Sequence, residues 1–202
     1  MVKGVLSGIR IIELAGLGPA PFCGMLLSDL GAEVILIERQ TEAHGDARSA
    51  EILNRGKRSI RIDLKKPEGV ELVLELVETA DGLIEGMRPG VMERLGLSPQ
   101  VCLARNPRLA YGRMTGWGQY GPLSQAAGHD LNYLSVVGAA WYAGTIVNPV
   151  PPPSLIGDLG GGALYLTVGL IAAILHAGRG GSGQVIDAAV VDGTAHLQTI
   201  LH

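Results

Sequence analysis

Cysteine is scarce in this 202-residue chain: Cys23 and Cys102 stand alone, with no spacing for a metal pair or a disulfide framework. Reduced thiols in a cytoplasmic setting are the expectation. The five histidines, at positions 44, 129, 176, 196 and 202, show no zinc-ligand spacing either, so no metal is expected. A net charge of −3 gives no general reason to bind nucleic acid or an anionic membrane. The longest apolar run, Ala163 to Ala177, is about fifteen residues, short for a bilayer span and more typical of a core helix. The start, Met1-Val2-Lys3-Gly4-Val5-Leu6, lacks the apolar stretch of a secretory signal. No Gly-x-Ser-x-Gly occurs, which leaves serine hydrolysis unsupported. Aromatics make up only 4%, and the chain is rich in glycine and aliphatics, the composition of an α/β domain.

The order of elements agrees with that class. Ile9 to Leu14 is a β-rich run that ends at Gly16-Leu17-Gly18-Pro19; an apolar helix follows from Phe22 to Leu30, then a second buried strand from Ala32 to Ile37. Strand, glycine turn, helix and strand open a doubly wound parallel sheet. The dinucleotide fingerprint is not met, because Pro21 stands where its third glycine belongs. Further strands are expected at Leu83–Glu85, Leu109–Thr115 and Gln184–Asp187, with a helix from Pro67 that turns Val70, Val73, Leu74 and Val77 inward. Gly178 to Gly183 reads as a hairpin-like turn, and an amphipathic helix from Val190 reaches the last residue without a stop signal, as if the chain continued. The fold class is α/β: one Rossmann-like parallel sheet with flanking helices across residues 1–202.

Cations cluster where a phosphorylated ligand could use them. Arg39 closes the second strand, the place where such folds receive a phosphate on an adenosine ribose. Six cations crowd the segment Asn54 to Lys66, among them Arg55 and Lys57 beside Gly56, a pattern that suits a clasp for one phosphorylated ligand or a lysine-protected edge strand. Arg88 and Arg94 flank a Pro-Gly turn and could both face the strand ends.

Two residues are candidates for proton chemistry. His129 lies between Gly128 and Asp130 at a helix start, with Asp130 expected as the N-cap. The positive end of a helix disfavours imidazolium and suits the ring to accept a proton. Asp158 precedes the long apolar helix, where an N-cap role competes with a role as an acid. A helix end lowers a carboxyl pKa, so an acid at this place requires burial or a neighbouring carboxylate to prevail.

The segments Leu6-Ser7-Gly8-Ile9-Arg10-Ile11-Ile12-Glu13-Leu14, Asn54-Arg55-Gly56-Lys57-Arg58-Ser59, Arg88-Pro89-Gly90-Val91, Gly116-Trp117-Gly118-Gln119, Gly128-His129-Asp130, Gly157-Asp158 and Gly183-Gln184-Val185-Ile186-Asp187-Ala188 resemble, in order, the family III CoA-transferases and within them the α-methylacyl-CoA racemases. Members of that family are about twice as long. The resemblance therefore implies an incomplete large domain, without the small domain and the returning C-terminal segment. It also implies an acyl-CoA thioester as ligand, coenzyme A as part of the substrate with no prosthetic group, and an interlocked homodimer. Arg39, Arg88 and Arg94 would serve the CoA phosphates, and the backbone around Ile62 and Leu64 would lie along the adenine. His129 and Asp158 would be the acid–base pair of a 1,1-proton transfer through an enolate, with the N–H of Asp130 on the enolate oxygen. The rival within the family is CoA transfer through an aspartyl thioester at Asp158, and a third reading is a CoA-binding module without turnover. Ser154 and Gly144-Thr145-Ile146 depart from the racemase pattern, which has an asparagine at the first position and a Gly-Arg pair in the second segment.

Overall fold

The computed structural model describes residues 4–39, 52–145, 147–150 and 154–201. His44, Ile146, Pro151 to Pro153 and His202 lie outside them. The strands are β1 (Arg10–Leu14), β2 (Glu33–Glu38), β3 (Arg58–Arg61), β4 (Gly82–Glu85), β5 (Ala110–Thr115), a two-residue antiparallel pair β6 (Gly144–Thr145) and β7 (Asn148–Pro149), and β8 (Gln184–Ala189). Six of them form one sheet in the order β3-β2-β1-β4-β5-β8, with every neighbouring pair parallel. The order reverses between β1 and β4, so their carboxyl ends frame the crevice where ligands bind in doubly wound sheets.

Helices cover both faces, which is why β4 and most of β1 are buried along their length rather than alternating. On one face α1 (Pro19–Asp29) and α6 (Leu164–Gly178) pack on Ile11, Ile84, Ala110 and Met114. On the other, α2 (Pro67–Glu78), α3 (Val91–Arg94) and α4 (Pro99–Arg105) close over Ile12, Leu83, Leu109 and Tyr111. The helix α4 begins as its sequence predicts, with Ser98 as an N-cap whose hydroxyl accepts from the Val101 N–H at 3.3 Å, ahead of Pro99.

Three local expectations change. First, α5 (Asp130–Val136) starts one residue earlier than expected, with His129 rather than Asp130 as its N-cap. The His129 N–H donates to Asn132 Oδ1 at 2.9 Å, so the turn is closed without Asp130. Second, Asp158 is no N-cap: it lies inside a π-helical segment, Leu155–Ala163, that runs directly into α6. Wider π turns within helices recur at functional sites because they displace side chains from the regular helical rows. The joined helix, Leu155–Gly178, is 24 residues long and apolar enough to cross a membrane by length and composition, beyond the length of the apolar run alone. Leu166, Leu170 and Ala173 nevertheless pack it into the core of the sheet. Third, Gly178 to Gly183 joins a helix to a parallel strand and is not a hairpin.

Candidate active site

A cavity of about 340 Å³ opens at the carboxyl ends of β1, β4 and β5. Each of these strands sends its following loop into the wall: Leu17 to Pro19 after β1, Gly86 to Pro89 after β4, Thr115 to Trp117 after β5. His129 and Asp158 both line it, together with Arg88 and Tyr133. Two residues far apart in sequence thus share one chamber because α5 and the π-helical segment both start at the strand ends.

Glycines make that convergence possible. A Cβ on Gly116 would fall 2.1 Å from the Tyr133 hydroxyl, and one on Gly128 would fall 2.8 Å from Tyr133 Cε1 and 2.9 Å from Trp117 Nε1. Tyr133 is therefore wedged beneath the backbone that presents His129, and it meets Trp117 edge to face at 4.7 Å between ring centroids.

Asp158 is fixed through its backbone. Its N–H donates to Oδ1 of Asp130 at 2.6 Å, and Asp130 is itself buried. The Asp158 carboxyl is held above the ordinary carboxylate range, first by burial and then by the negative charge of Asp130, while His129 pulls the other way. The tension between helix end and acid role is thereby resolved: burial and a second carboxylate prevail. The N–H of Asp130, in the first turn of α5, has no acceptor within its own helix and remains a candidate donor to a ligand.

Arg88 lines the cavity. Arg39, exposed just after β2, reaches Met87 in the cavity wall, its Nη2 lying 3.9 Å from the Met87 sulfur. Arg94 lies against Gly90, with Nη1 3.1 Å from where a Cβ would stand. Arg39, distant in sequence, is therefore brought to the turn Met87 to Gly90, which itself carries Arg88 and is followed by Arg94. Ile62 is buried, with its N–H on the Glu38 carbonyl at 3.0 Å, and Leu64 packs against the same core. Both follow β3 at the carboxyl edge of the sheet.

Lys57 is a correction. Its side chain is 1% exposed and its ammonium bonds Glu13 Oε1 at 2.8 Å and the Pro21 carbonyl at 3.0 Å, so it is a buried structural cation and not part of a phosphate clasp. Arg55 is engaged elsewhere too, paired bidentately with Asp29 at the surface; neither residue lines the cavity.

Three charged residues behind the cavity wall, Glu85, Arg113 and Glu93, are not singled out by any sequence motif. Arg113 Nε donates to Glu85 Oε1 at 2.9 Å, and its Nη1 meets Glu93 Oε1 at 2.9 Å. Their signal was present. A charge inside Ala110-Tyr111-Gly112-Arg113-Met114-Thr115, a strand buried almost throughout, requires a partner.

Among the described residues no group of three His, Cys, Asp or Glu could hold a metal ion. The family model for CoA-transferase family III matches residues 6–201. The chain is 46% identical to the α-methylacyl-CoA racemase of Mus musculus, over 98% of this chain and 51% of that protein. It is 44% identical to the α-methylacyl-CoA racemase of Homo sapiens, over 97% of this chain and 50% of that protein. Among solved structures, a CAIB/BAIF family protein from Brucella suis superposes with a TM-score of 0.89 at 31% identity, covering 98% of this chain and 56% of that one. Rv3272 from M. tuberculosis gives 0.86 at 34%, covering 98% and 57%. The chain thus spans about half the length of the relatives it matches.

Proposed function

Because the chain belongs to CoA-transferase family III, we propose that it binds 2-methylacyl-CoA thioesters and epimerises them by 1,1-proton transfer. The observation that carries this reading is that His129 and Asp158 line one cavity, with Asp158 held toward its protonated form. Its similarity to two α-methylacyl-CoA racemases supports the same choice of substrate.

Racemisation needs a base on one side of the α-carbon and an acid on the other. In one direction the His129 imidazole removes the α-proton, electrons move into the thioester carbonyl as an enolate, and the Asp158 carboxyl delivers a proton to the opposite face. In the other direction the Asp158 carboxylate removes the proton and the imidazolium returns one. The carboxyl must therefore be poised near the working pH, which burial and the charge of Asp130 favour. In this reading the Asp130 N–H, free of an acceptor in the first turn of α5, would meet the enolate oxygen, a contribution of about 3 kcal/mol for one well-aimed donor. Coenzyme A would enter as part of the substrate, its phosphates on Arg39, Arg88 and Arg94 and its adenine along the backbone at Ile62 and Leu64. CoA transfer by nucleophilic attack of Asp158 gives no role to His129, which shares the cavity with it.

An interlocked homodimer belongs to the same reading, and the exposed Trp141, Tyr142, Leu155 and Ile156 offer apolar surface for it. The deciding experiment is proton NMR of a 2-methylacyl-CoA in D₂O with the chain, His129→Ala and Asp158→Asn. Exchange of the α-hydrogen that is lost in both variants is the expected result. Exchange that survives both substitutions would discard the pair as the acid and base.

A further inference from the structure

The turn that carries Arg88 has no helix or strand of its own from Gly86 to Gly90, yet it forms a wall of the cavity. It is tied down at both ends. At its start the Met87 N–H donates to Glu85 Oε2 at 2.7 Å. Beyond its end, α3 carries Glu93. Both carboxylates converge on Arg113: Nε donates to Glu85 Oε1 at 2.9 Å, Nη1 lies 2.9 Å from Glu93 Oε1, and Nη2 donates to Glu93 Oε2 at 3.3 Å. Glu85 is wholly buried and Arg113 is 8% exposed. A third tie comes from the loop leading to His129, where Gln125 Nε2 donates to the Pro89 carbonyl at 3.2 Å.

We infer that Glu85, Arg113 and Glu93 are positioning residues that set Arg88 for a CoA phosphate by closing the turn between them. The planar guanidinium is what this requires, since its fork satisfies two carboxylates in different directions, whereas a lysine ammonium acts as a point charge. Asp187, the register partner of Arg113 on β8, adds a third acidic side chain nearby, while the direct contacts of Arg113 are with Glu85 and Glu93. None of the three positioning residues lines the cavity itself. They act through the backbone they hold.

The inference rests on the coenzyme A reading above, and the test separates the two. Binding of CoA is measured by calorimetry for the unmutated chain, Arg88→Ala, Glu93→Gln and the double variant. Glu93 is the partner with a partly exposed side chain, 39%, so its amide variant disturbs the core least. Each single substitution is expected to weaken CoA about tenfold. The double variant is expected to bind no more weakly than Arg88→Ala alone, because Glu93 acts through Arg88. Arg113→Lys, which keeps the charge but loses the fork, is expected to repeat the loss. Multiplying effects in the double variant, or unchanged affinity in Glu93→Gln and Arg113→Lys, would overturn the positioning role while leaving the CoA site intact. No binding by the unmutated chain would instead overturn the coenzyme A reading, and this inference with it.

Discussion

The backbone N–H of Asp158 donates to Oδ1 of Asp130 at 2.6 Å, joining the π-helical segment to the first turn of α5. One carboxylate thus fixes the position of the other and, by its charge, raises the other's pKa. Asp130→Asn keeps the acceptor oxygen and removes the charge. The Asp158 pKa should fall, so in the direction where Asp158 is the acid, activity should be lost at lower pH than in the unmutated chain. The pH dependence of α-hydrogen exchange measures this; an unmoved limb would mean that Asp130 does not tune Asp158. Asp130→Ala should also lose about 1–3 kcal/mol of stability, from the unpaired amide of a partly buried turn.

Glu13 and Lys57 form a buried pair under α1, with side chains 0% and 1% exposed. Removing one partner strands the other's charge in the core. Lys57→Met or Glu13→Gln alone should cost about 3–5 kcal/mol, and the double variant should recover most of that loss. Urea unfolding of the three variants checks it, and simple additivity would contradict it.

The same pair predicts a pH dependence of stability. Burial outweighs Lys57 and pushes the Glu13 carboxyl from its ordinary 4.5 up to about 7. A raised folded pKa means that the folded chain binds a proton which the unfolded chain has released. This contribution is complete below about pH 4.5 and is lost as pH rises through about 7. Relative to the unmutated chain, the double variant should show a shallower decline in stability across that window, read from unfolding midpoints at several pH values.

Gly128 has a place for no side chain, since a Cβ there would meet Tyr133 and Trp117 at 2.8 and 2.9 Å. Gly128→Ala should displace the His129 turn and cost about 1–3 kcal/mol by overpacking. Proton exchange should fall with it. Trimming the ring in a Gly128→Ala, Tyr133→Leu variant should recover part of the stability; no recovery would move the cause from the Tyr133 contact to the backbone.

The corrected assignment of the cations is testable on its own. Arg55, paired with Asp29 outside the cavity lining, should be replaceable by alanine without change in CoA affinity, while Arg88→Ala should weaken it. Equal losses from both would restore the segment around Gly56 to the binding site.

What the sequence by itself determined follows from short-range chemistry. Runs such as Ile9 to Leu14 and Leu109 to Thr115 read as strands, and the Ser98-Pro99 pair as a helix start. His129, Asp158 and Arg88 could be singled out as candidates in the sequence because each stands beside glycine or proline. The tertiary structure alone decided which charges line the cavity and which are paired in the core. Lys57 and Arg88 look alike in sequence, each a cation beside a turn, but the Lys57 side chain meets a buried carboxylate, and Arg88 falls on the loop after β4, at the carboxyl ends of the strands. The same holds for Asp158, whose pKa is raised by burial and then by the charge of Asp130, 28 residues away. Distance and burial set the energy of a charge, and neither exists until the sheet has brought the strand ends together.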